Sequence, residues 1–289
     1  MTLAHQGDSA IDGGITASQF ELIAAIAHSE AGLVFQKSKS ALVASRLSKR
    51  LRLLKIESFG DYCDLVSSHE GSEEIQQMIS ALTTNISSFF RERHHFDAVK
   101  NHVLPSIEKN ATQNSKIRIW SAGCSMGMEA YSIAITIMET WPQAQDLDIK
   151  ILATDIDRSV LETGIAGIFD HGQVSTVPEG LREKYFHRQH DPKLYQVCES
   201  LRRMITFREL NLLKPWPIST KFDVIFCRNT VIYFDDATQR KLWPRFQNVL
   251  LPEGWLFVGH SERIPENSGT DFKSLGMTMY QRRNDISKQ

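Results

Sequence analysis

Several short stretches carry polar side chains directly after apolar runs. Ser121 to Glu129 surround two glycines, and Asp155, Asn211 and the pair Arg228-Asn229 each follow a run of strand-forming residues. Polar residues past strand ends line the carboxyl edge of a parallel sheet, the usual ligand crevice of open α/β folds. An acid at the end of the second strand, such as Asp155, is where a ribose diol is commonly bonded. One further stretch, Leu82 to Glu92, is rich in hydroxyl and amide groups and ends in Phe89-Phe90-Arg91. It could supply hydrogen bonds, a stacking surface and a cation together, or be a capped linker between helices. His94-His95 does not read as a metal site, because neighbours on a helix face different directions, and no metal is expected.

The elements that must position these residues follow from periodicity. Ile117 to Ala122 reads as a buried strand, Gly123 to Gly127 as a tight turn, and Ile133, Ile137 and Met138 recur at helical spacing. Glycine fits where the backbone turns with φ > 0 or approaches a ligand. Taken alone, the unit is equally an ordinary strand-turn-helix, since neither a dinucleotide fingerprint nor a phosphate loop is present. Asp148 to Ala153, Ile205 to Phe207, Phe222 to Cys227 and Leu256 to Val258 read as further strands, with Thr278 to Arg282 as a last edge strand. A helix is predicted from about Asp236 to Leu250, kinked at Pro244. Between them, 181–204 breaks the βαβ rhythm with two short strands joined by Gln189 to Lys193.

The N-terminal part is different. Residues 1–15 read as a frayed tail, a helix runs from Ser18 to a stop at Gly32, and helical patterns follow near 59–68 and 72–83. The segment from Lys37 to Lys55 contains Lys37, Lys39, Arg46, Lys49, Arg50, Arg52 and Lys55 but no acid, with Val43, Leu47, Leu51 and Leu54 as an apolar stripe. This amphipathic basic helix is either a solvated face or a docking face for an acidic partner, nucleic-acid backbone or protein helix.

Composition narrows the class. The 289 residues are 42% hydrophobic and 23% charged with net charge −1, which excludes a globally basic nucleic-acid coat. Cys63, Cys124, Cys198 and Cys227 lie far apart without a C-x-x-C pair, so structural zinc and a disulfide framework are not expected. Neither a signal peptide nor a run long enough to span a membrane is read, and the cytoplasm is the expected location.

With these stretches in view, the chain resembles the CheR-type chemotaxis-receptor glutamate methyltransferases, which use S-adenosylmethionine. The resemblance spans about residues 18–282. It rests on Leu82 through Glu92, the Trp120-Ser121 glycine turn with Glu129 and Tyr131-Ser132, and Thr154 to Asp157. Asn211-Leu212, Phe226 to Asn229 with Tyr233-Phe234, and Gly259 to Glu262 complete it. It implies a class I, Rossmann-like α/β methyltransferase domain over 116–289 with a small three-stranded β-subdomain near 181–204. A helical N-terminal domain over 16–84 and a linker loop and helix over 85–115 would precede it.

By the same resemblance, Asn85, Ser87 and Arg91 would reach the cofactor from the linker. Glu129 would bond its amino-acid end, Asp155 the ribose, and Asn211-Leu212 the adenine surroundings. Arg228-Asn229 would close the pocket near the methionine part, and Arg91 and Tyr233 would stand at the transfer site. Arg46, Lys49, Arg50 and Arg52 would dock the cytoplasmic coiled coil of a chemoreceptor. The implied product is S-adenosylhomocysteine, and a monomer without nucleic-acid partner or membrane insertion is expected. The chain departs from common members at Met126 and Met128, where a threonine and an acid are usual. The Gln189 to Lys193 turn is short and lacks glycine, which implies an enzyme that does not grip a receptor's C-terminal pentapeptide. The competing readings are a methyltransferase for RNA or a small molecule, and a cofactor-binding signalling scaffold.

Overall fold

The computed structural model describes residues 10, 11, 14–110 and 115–284. The chain divides into two compact units, Met1–Thr84 with Tyr233–Asp235, and Asn85–Ile232 with Asp236–Gln289.

In the first unit, Ala10–Ile11 pairs antiparallel with Ile15–Thr16, and Ile15 is fully buried. That part of the expected tail is therefore ordered, because one isoleucine finds a core; residues 1–9, 12 and 13 lie outside the described residues. Helices follow at Ala17–Ala31, Ser40–Leu54, Phe59–Ser67 and Ser72–Leu82. The first starts with a capping box, in which Thr16 and Gln19 satisfy each other's backbone N–H, and stops at Gly32 with φ 70. Phe20, Ile23, Val43, Leu47, Tyr62 and Met78 form the core. Leu54 does not join the stripe of Val43, Leu47 and Leu51; it is exposed at the helix end. The segment Tyr233–Asp235 joins this unit through Val34 N–H to the Tyr233 carbonyl (3.0 Å) and His28 to Asp235 (2.9 Å).

The second unit is built on a seven-stranded sheet. Its strands in chain order are β1 Lys116–Ala122, β2 Asp148–Asp155, β3 Ile205–Glu209, β4 Phe222–Cys227, β5 Leu250–Val258, β6 Phe272–Ser274 and β7 Met279–Arg282. Their spatial order is β6-β7-β5-β4-β1-β2-β3, with β1 to β5 parallel and β7 and β6 antiparallel. The expected edge strand β7 is therefore internal, and Phe272–Ser274 is the edge. The order reverses between β1 and β4, where Ser121 lies beside Phe226. The ligand crevice of an open α/β sheet falls at such a switch point.

The central strands read as continuous apolar runs because both faces are covered. Trp120 is fully buried, its indole N–H donates to Thr154 Oγ1 at 2.9 Å, and Trp216 packs on it edge-on. Burying one such ring contributes about 2–3 kcal/mol. Helices Met128–Thr140, Arg158–Ala166 and Asp236–Val249 connect the strands, the last running on through Pro244. A π-helical stretch, Val99–Val103, separates helices His94–Ala98 and Leu104–Asn110. The small sheet has three strands, Ile168–Asp170, Leu194–Val197 and Phe186–Arg188, with the second in the middle. Its first strand lies before the 181–204 segment. Among the described residues, no helix is long and apolar enough to cross a membrane.

Candidate functional site

The turn after β1 is pressed from two sides, which explains its glycines. Gly123 has φ +81, and a Cβ there would lie 2.1 Å from Thr230 Oγ1. Gly127 has φ +85, and its Cβ would strike the Phe207 ring at 2.7 Å. The N–H groups of Gly123 and Cys124 both donate to the Thr154 carbonyl, at 2.8 and 2.9 Å. The helix that follows opens with Glu129 in its first turn. Met128 is buried in the core and Met126 packs against it, its sulfur 3.7 Å from Gln173 Nε2. Both departures from the family pattern thus serve packing, and a carboxylate at 128 would lose its hydration there.

Asp155, Asn85 and Asn211 come together at the end of β2. The Asp155 carboxylate accepts from Ser125 N–H (2.8 Å) and Asp157 N–H (3.0 Å). Burial raises its pKa, and those bonds oppose the shift. Asn85 Nδ2 donates to Asp157 Oδ2 at 2.7 Å, and its carbonyl accepts from Ser125 Oγ at 3.1 Å. Leu210 N–H donates to the Asp155 carbonyl (2.9 Å), which sets Asn211 beside it. Asn211 Oδ1 accepts from Leu213 N–H at 2.8 Å, an Asx-type turn. Leu212 is buried, with its carbonyl taken by Trp216 and Arg245. Ser87 is half-buried on the same linker.

Past β4, Arg228 is almost wholly buried and sits between two carboxylates. Its Nη1 donates to Glu129 Oε2 at 3.0 Å, its Nη2 lies 3.3 Å from Glu92 Oε2, and Nη2 also donates to the Arg91 carbonyl. Glu129 Oε1 accepts from Ser121 Oγ at 2.6 Å. Glu92 Oε1 accepts from Asn229 Nδ2 (3.2 Å) and faces His260 Nδ1 (3.1 Å). Burial alone would raise the Glu92 pKa, but Arg228, His260 and Asn229 together hold it down at about 2. For Glu129 burial dominates, and its pKa is raised in spite of Arg228. Three polar atoms here, Glu92 Oε2, His95 Nδ1 and Arg228 Nε, are buried without a hydrogen-bond partner. The backbone is strained as well: Phe90, Glu92, Ser125 and Asn229 are all left-handed without being glycine.

Glu92, Asp157, His95 and Glu262 were not read as site residues from the sequence. A polar residue past a strand end signals itself. Glu262 and Glu92 act through backbone N–H groups and a buried arginine, which residue spacing does not reveal. His95 Nε2 meets the Met277 carbonyl at 2.9 Å and Thr278 Oγ1 at 3.1 Å, and burial with nearby Arg228 lowers its pKa to about 4. The divergence expected of His94 and His95 does not hold. Their rings lie 4.2 Å apart, and with Glu92 their ligand atoms fall within 4.8 Å of one another. Glu92 and His95 already have the partners just described.

The linker's aromatic pair packs against other rings of the chain. Phe89 packs edge-on against Phe169 and Phe186, and Phe90 against Phe96. The loop is also pinned by Phe90 N–H to Ser132 Oγ at 2.9 Å. Arg91 is half-buried, and its Nη1 donates to the Ile86 carbonyl at 3.0 Å, closing its own loop. Tyr233 belongs to the helical unit.

In the helical unit, the four basic residues divide. Arg46 donates to the Leu82 and Thr83 carbonyls and to Thr84 Oγ1, capping the last turn of Ser72–Leu82. Arg50 forms a bidentate pair with Glu74, which also accepts from Tyr62 OH at 2.9 Å. Lys49 and Arg52 are exposed. The Lys37 to Lys55 segment lacks an acid because its acid comes from another helix. Arg46 and Arg50 are therefore engaged inside the unit instead of displayed.

The donor set defines what fits at the sheet edge. Four buried or nearly buried carboxylates lie along this edge (Asp155, Asp157, Glu129, Glu92), and the buried Arg228 pairs with two of them, Glu129 and Glu92. Such a surplus favours a ligand that carries positive charge and hydroxyl donors, which describes a sulfonium nucleoside. Two families of known sequence match the chain: residues 18–83 match the all-alpha domain of CheR methyltransferases, and residues 85–281 match their SAM-binding domain. A probable chemotaxis protein methyltransferase of Rhizobium etli is 44% identical over 255 residues, covering 88% of this chain and 95% of that protein. The chemotaxis protein methyltransferase of Borreliella burgdorferi is 37% identical over 262 residues, covering 89% and 92%. That of Escherichia coli is 38% identical over 266 residues, covering 91% and 90%.

Proposed function

Because the chain belongs to the CheR family of S-adenosylmethionine-dependent methyltransferases, we propose that it converts glutamate side chains of chemoreceptors to methyl esters during signal adaptation. The observation that carries the reading is the convergence of Asn85, Asp155, Glu129 and Arg228 on the carboxyl edge of β1, β2 and β4. When bound, S-adenosylmethionine supplies an activated methyl group on a positively charged sulfur.

The protein's own task is positioning. A glutamate, with an ordinary pKa near 4.3, is already an anion at neutral pH and needs no general base. Asp155 bonds the ribose hydroxyls, Glu129 and Arg228 hold the amino-acid end, and Asn211-Leu212 border the base. Asn85, Ser87 and Asn229 close the rim. Arg91 exchanges its Ile86 carbonyl for the incoming carboxylate, which a guanidinium matches in two hydrogen bonds. Alignment of this kind can supply several of the about 7–11 kcal/mol available from proximity. Receptor docking falls to Lys49 and Arg52, which present their charge to an acidic coiled coil; Arg46 and Arg50 shape the helix that carries them. The protein works as a monomer. The Gln189–Lys193 turn is closed on itself by Gln189 N–H to the Leu194 carbonyl and Lys193 N–H to Asp191 Oδ1, both 2.9 Å. It offers no extended loop to a C-terminal peptide, and calorimetry with such a peptide is expected to show no binding at micromolar concentration.

The deciding experiment incubates the protein with methyl-labelled S-adenosylmethionine and receptor-bearing membranes. Label released as methanol by alkali marks a carboxyl ester. Base-stable label on RNA or a small molecule would replace the proposed substrate, and tight cofactor binding without transfer would mark a scaffold. Arg91→Ala is expected to lower kcat/KM about 100-fold, as loss of an orienting guanidinium does.

A further inference from the structure

Glu262 is 3% exposed and, among the described residues, its carboxylate pairs with no cation, yet it is surrounded by donors. Oε2 accepts from Asn229 N–H at 2.9 Å and from Gly259 N–H, and Oε1 from Thr230 N–H at 2.9 Å and Ile232 N–H at 3.2 Å. Three of these four N–H groups belong to the segment that follows Arg228. One of them, Asn229, is left-handed at φ 56, a conformation that asparagine adopts more readily than most non-glycine residues. Thr230 is also the residue against which Gly123 packs. The loop past β4 has no helix or strand ladder of its own over 228–230, so its backbone donors are satisfied by one side chain from the loop after β5.

We propose that Glu262 is a positioning residue for methyl transfer, clamping Asn229 to Ile232 so that Arg228 and the Gly123 turn keep the spacing the cofactor requires. The inference rests on the reading of Arg228 and the glycine turn as the cofactor's wall. Buried carboxylates that accept only backbone N–H groups act as templates: the two oxygens fix four donors, and neither glutamine nor a hydrophobe can do so. In a glutamine, half of the acceptor set becomes an NH₂ group that faces backbone N–H donors.

Three variants test this. Glu262→Gln breaks the clamp by chemistry. Gly259→Ala breaks it by shape, since the new Cβ would lie 2.6 Å from Asn229 Nδ2 and 2.8 Å from Glu262 Oε2. Val258→Ala, at a fully buried position on β5, is a control that loses packing alone. All three are assayed for methyl transfer and for calorimetric affinity toward S-adenosylmethionine, at a temperature where melting curves show each to be folded. Glu262→Gln and Gly259→Ala are expected to lose about 100-fold in kcat/KM, on the scale of losing one preorganised donor, and to bind the cofactor at least about tenfold more weakly. Val258→Ala stays within about threefold of wild type on both readouts. Glu262→Gln and Gly259→Ala matching Val258→Ala, with wild type active, overturns the clamp alone. Should Glu262→Gln not fold, Gly259→Ala decides by the same criterion. A wild-type protein that neither binds the cofactor nor methylates receptors overturns the underlying functional reading instead.

Discussion

Two arginines, half-buried Arg50 in one unit and buried Arg228 in the other, show what separates an architectural ion pair from a working one. Arg50 meets Glu74 through two hydrogen bonds, and Tyr62 completes the carboxylate. Neither Arg50 nor Glu74 is among the buried side chains left with an unsatisfied atom, and the surrounding helices have ordinary geometry. Arg228 forms ion pairs with Glu129 and Glu92, yet its Nε, Glu92 Oε2 and His95 Nδ1 lack a hydrogen-bond partner. The residues around it include left-handed Glu92 and Asn229. A constellation that is saturated and relaxed has finished its task on folding. One that is strained and partly unsatisfied at a sheet switch point is waiting for another molecule.

The contrast can be broken by exchanging the roles. Replacing Arg228 with methionine leaves Glu129 and Glu92 facing each other, and kcat/KM is expected to fall about 1,000-fold with cofactor affinity lost in parallel. Wild-type affinity in calorimetry would erase the distinction. For Arg50→Ala the expected loss is about 3 kcal/mol of stability in denaturant unfolding, because Glu74 is stranded, with kcat/KM of the folded protein within about threefold. The double variant Arg50→Met with Glu74→Leu should recover most of that stability, as apolar isosteres of buried pairs do.

The acid response sharpens the same difference. His95 keeps a folded pKa of about 4 against an ordinary 6.5, so the stability it contributes is present above pH 6.5. It is lost as pH falls toward 4, up to about 3 kcal/mol at 1.36 kcal/mol per pKa unit. Glu92, held near 2 from 4.5, acts in the same direction at lower pH. Melting temperatures of His95→Gln should therefore vary less with pH between 6.5 and 4 than those of wild type. The smallest expected effect is on the surface. Lys49→Glu combined with Arg52→Glu should raise KM for receptor about tenfold and shrink with added salt, leaving cofactor affinity unchanged.

Much of this was legible in the residues. The strand-turn-helix at Ile117–Ala134 and the acid ending β2 declare themselves by periodicity and position. The placement of Asp155, Asn211 and Arg228-Asn229 along one edge follows from the sequence, because a parallel sheet gathers its strand ends whatever lies between. Relations that depend on distant segments were hidden. The Glu74 partner of Arg50 and the Glu262 clamp on the Asn229 loop obey no local period. Phe89 has the composition of a stacking surface and is core instead, since the small sheet supplies Phe169 and Phe186 to cover it, while Phe90 stays half-buried. The edge position of Phe272–Ser274 likewise depends on pairing, which alternation alone does not order.

Glu74 has a practical consequence for anyone who would study the basic helix by itself. A synthetic peptide of Ser40–Leu54 would present Arg46 and Arg50 to solvent, since the groups that occupy them in the intact chain would be missing. Its attraction to an acidic target would then reflect twice the number of free guanidinium and ammonium groups that Lys49 and Arg52 offer. Fragment binding would overstate the grip of the whole protein and blur its selectivity.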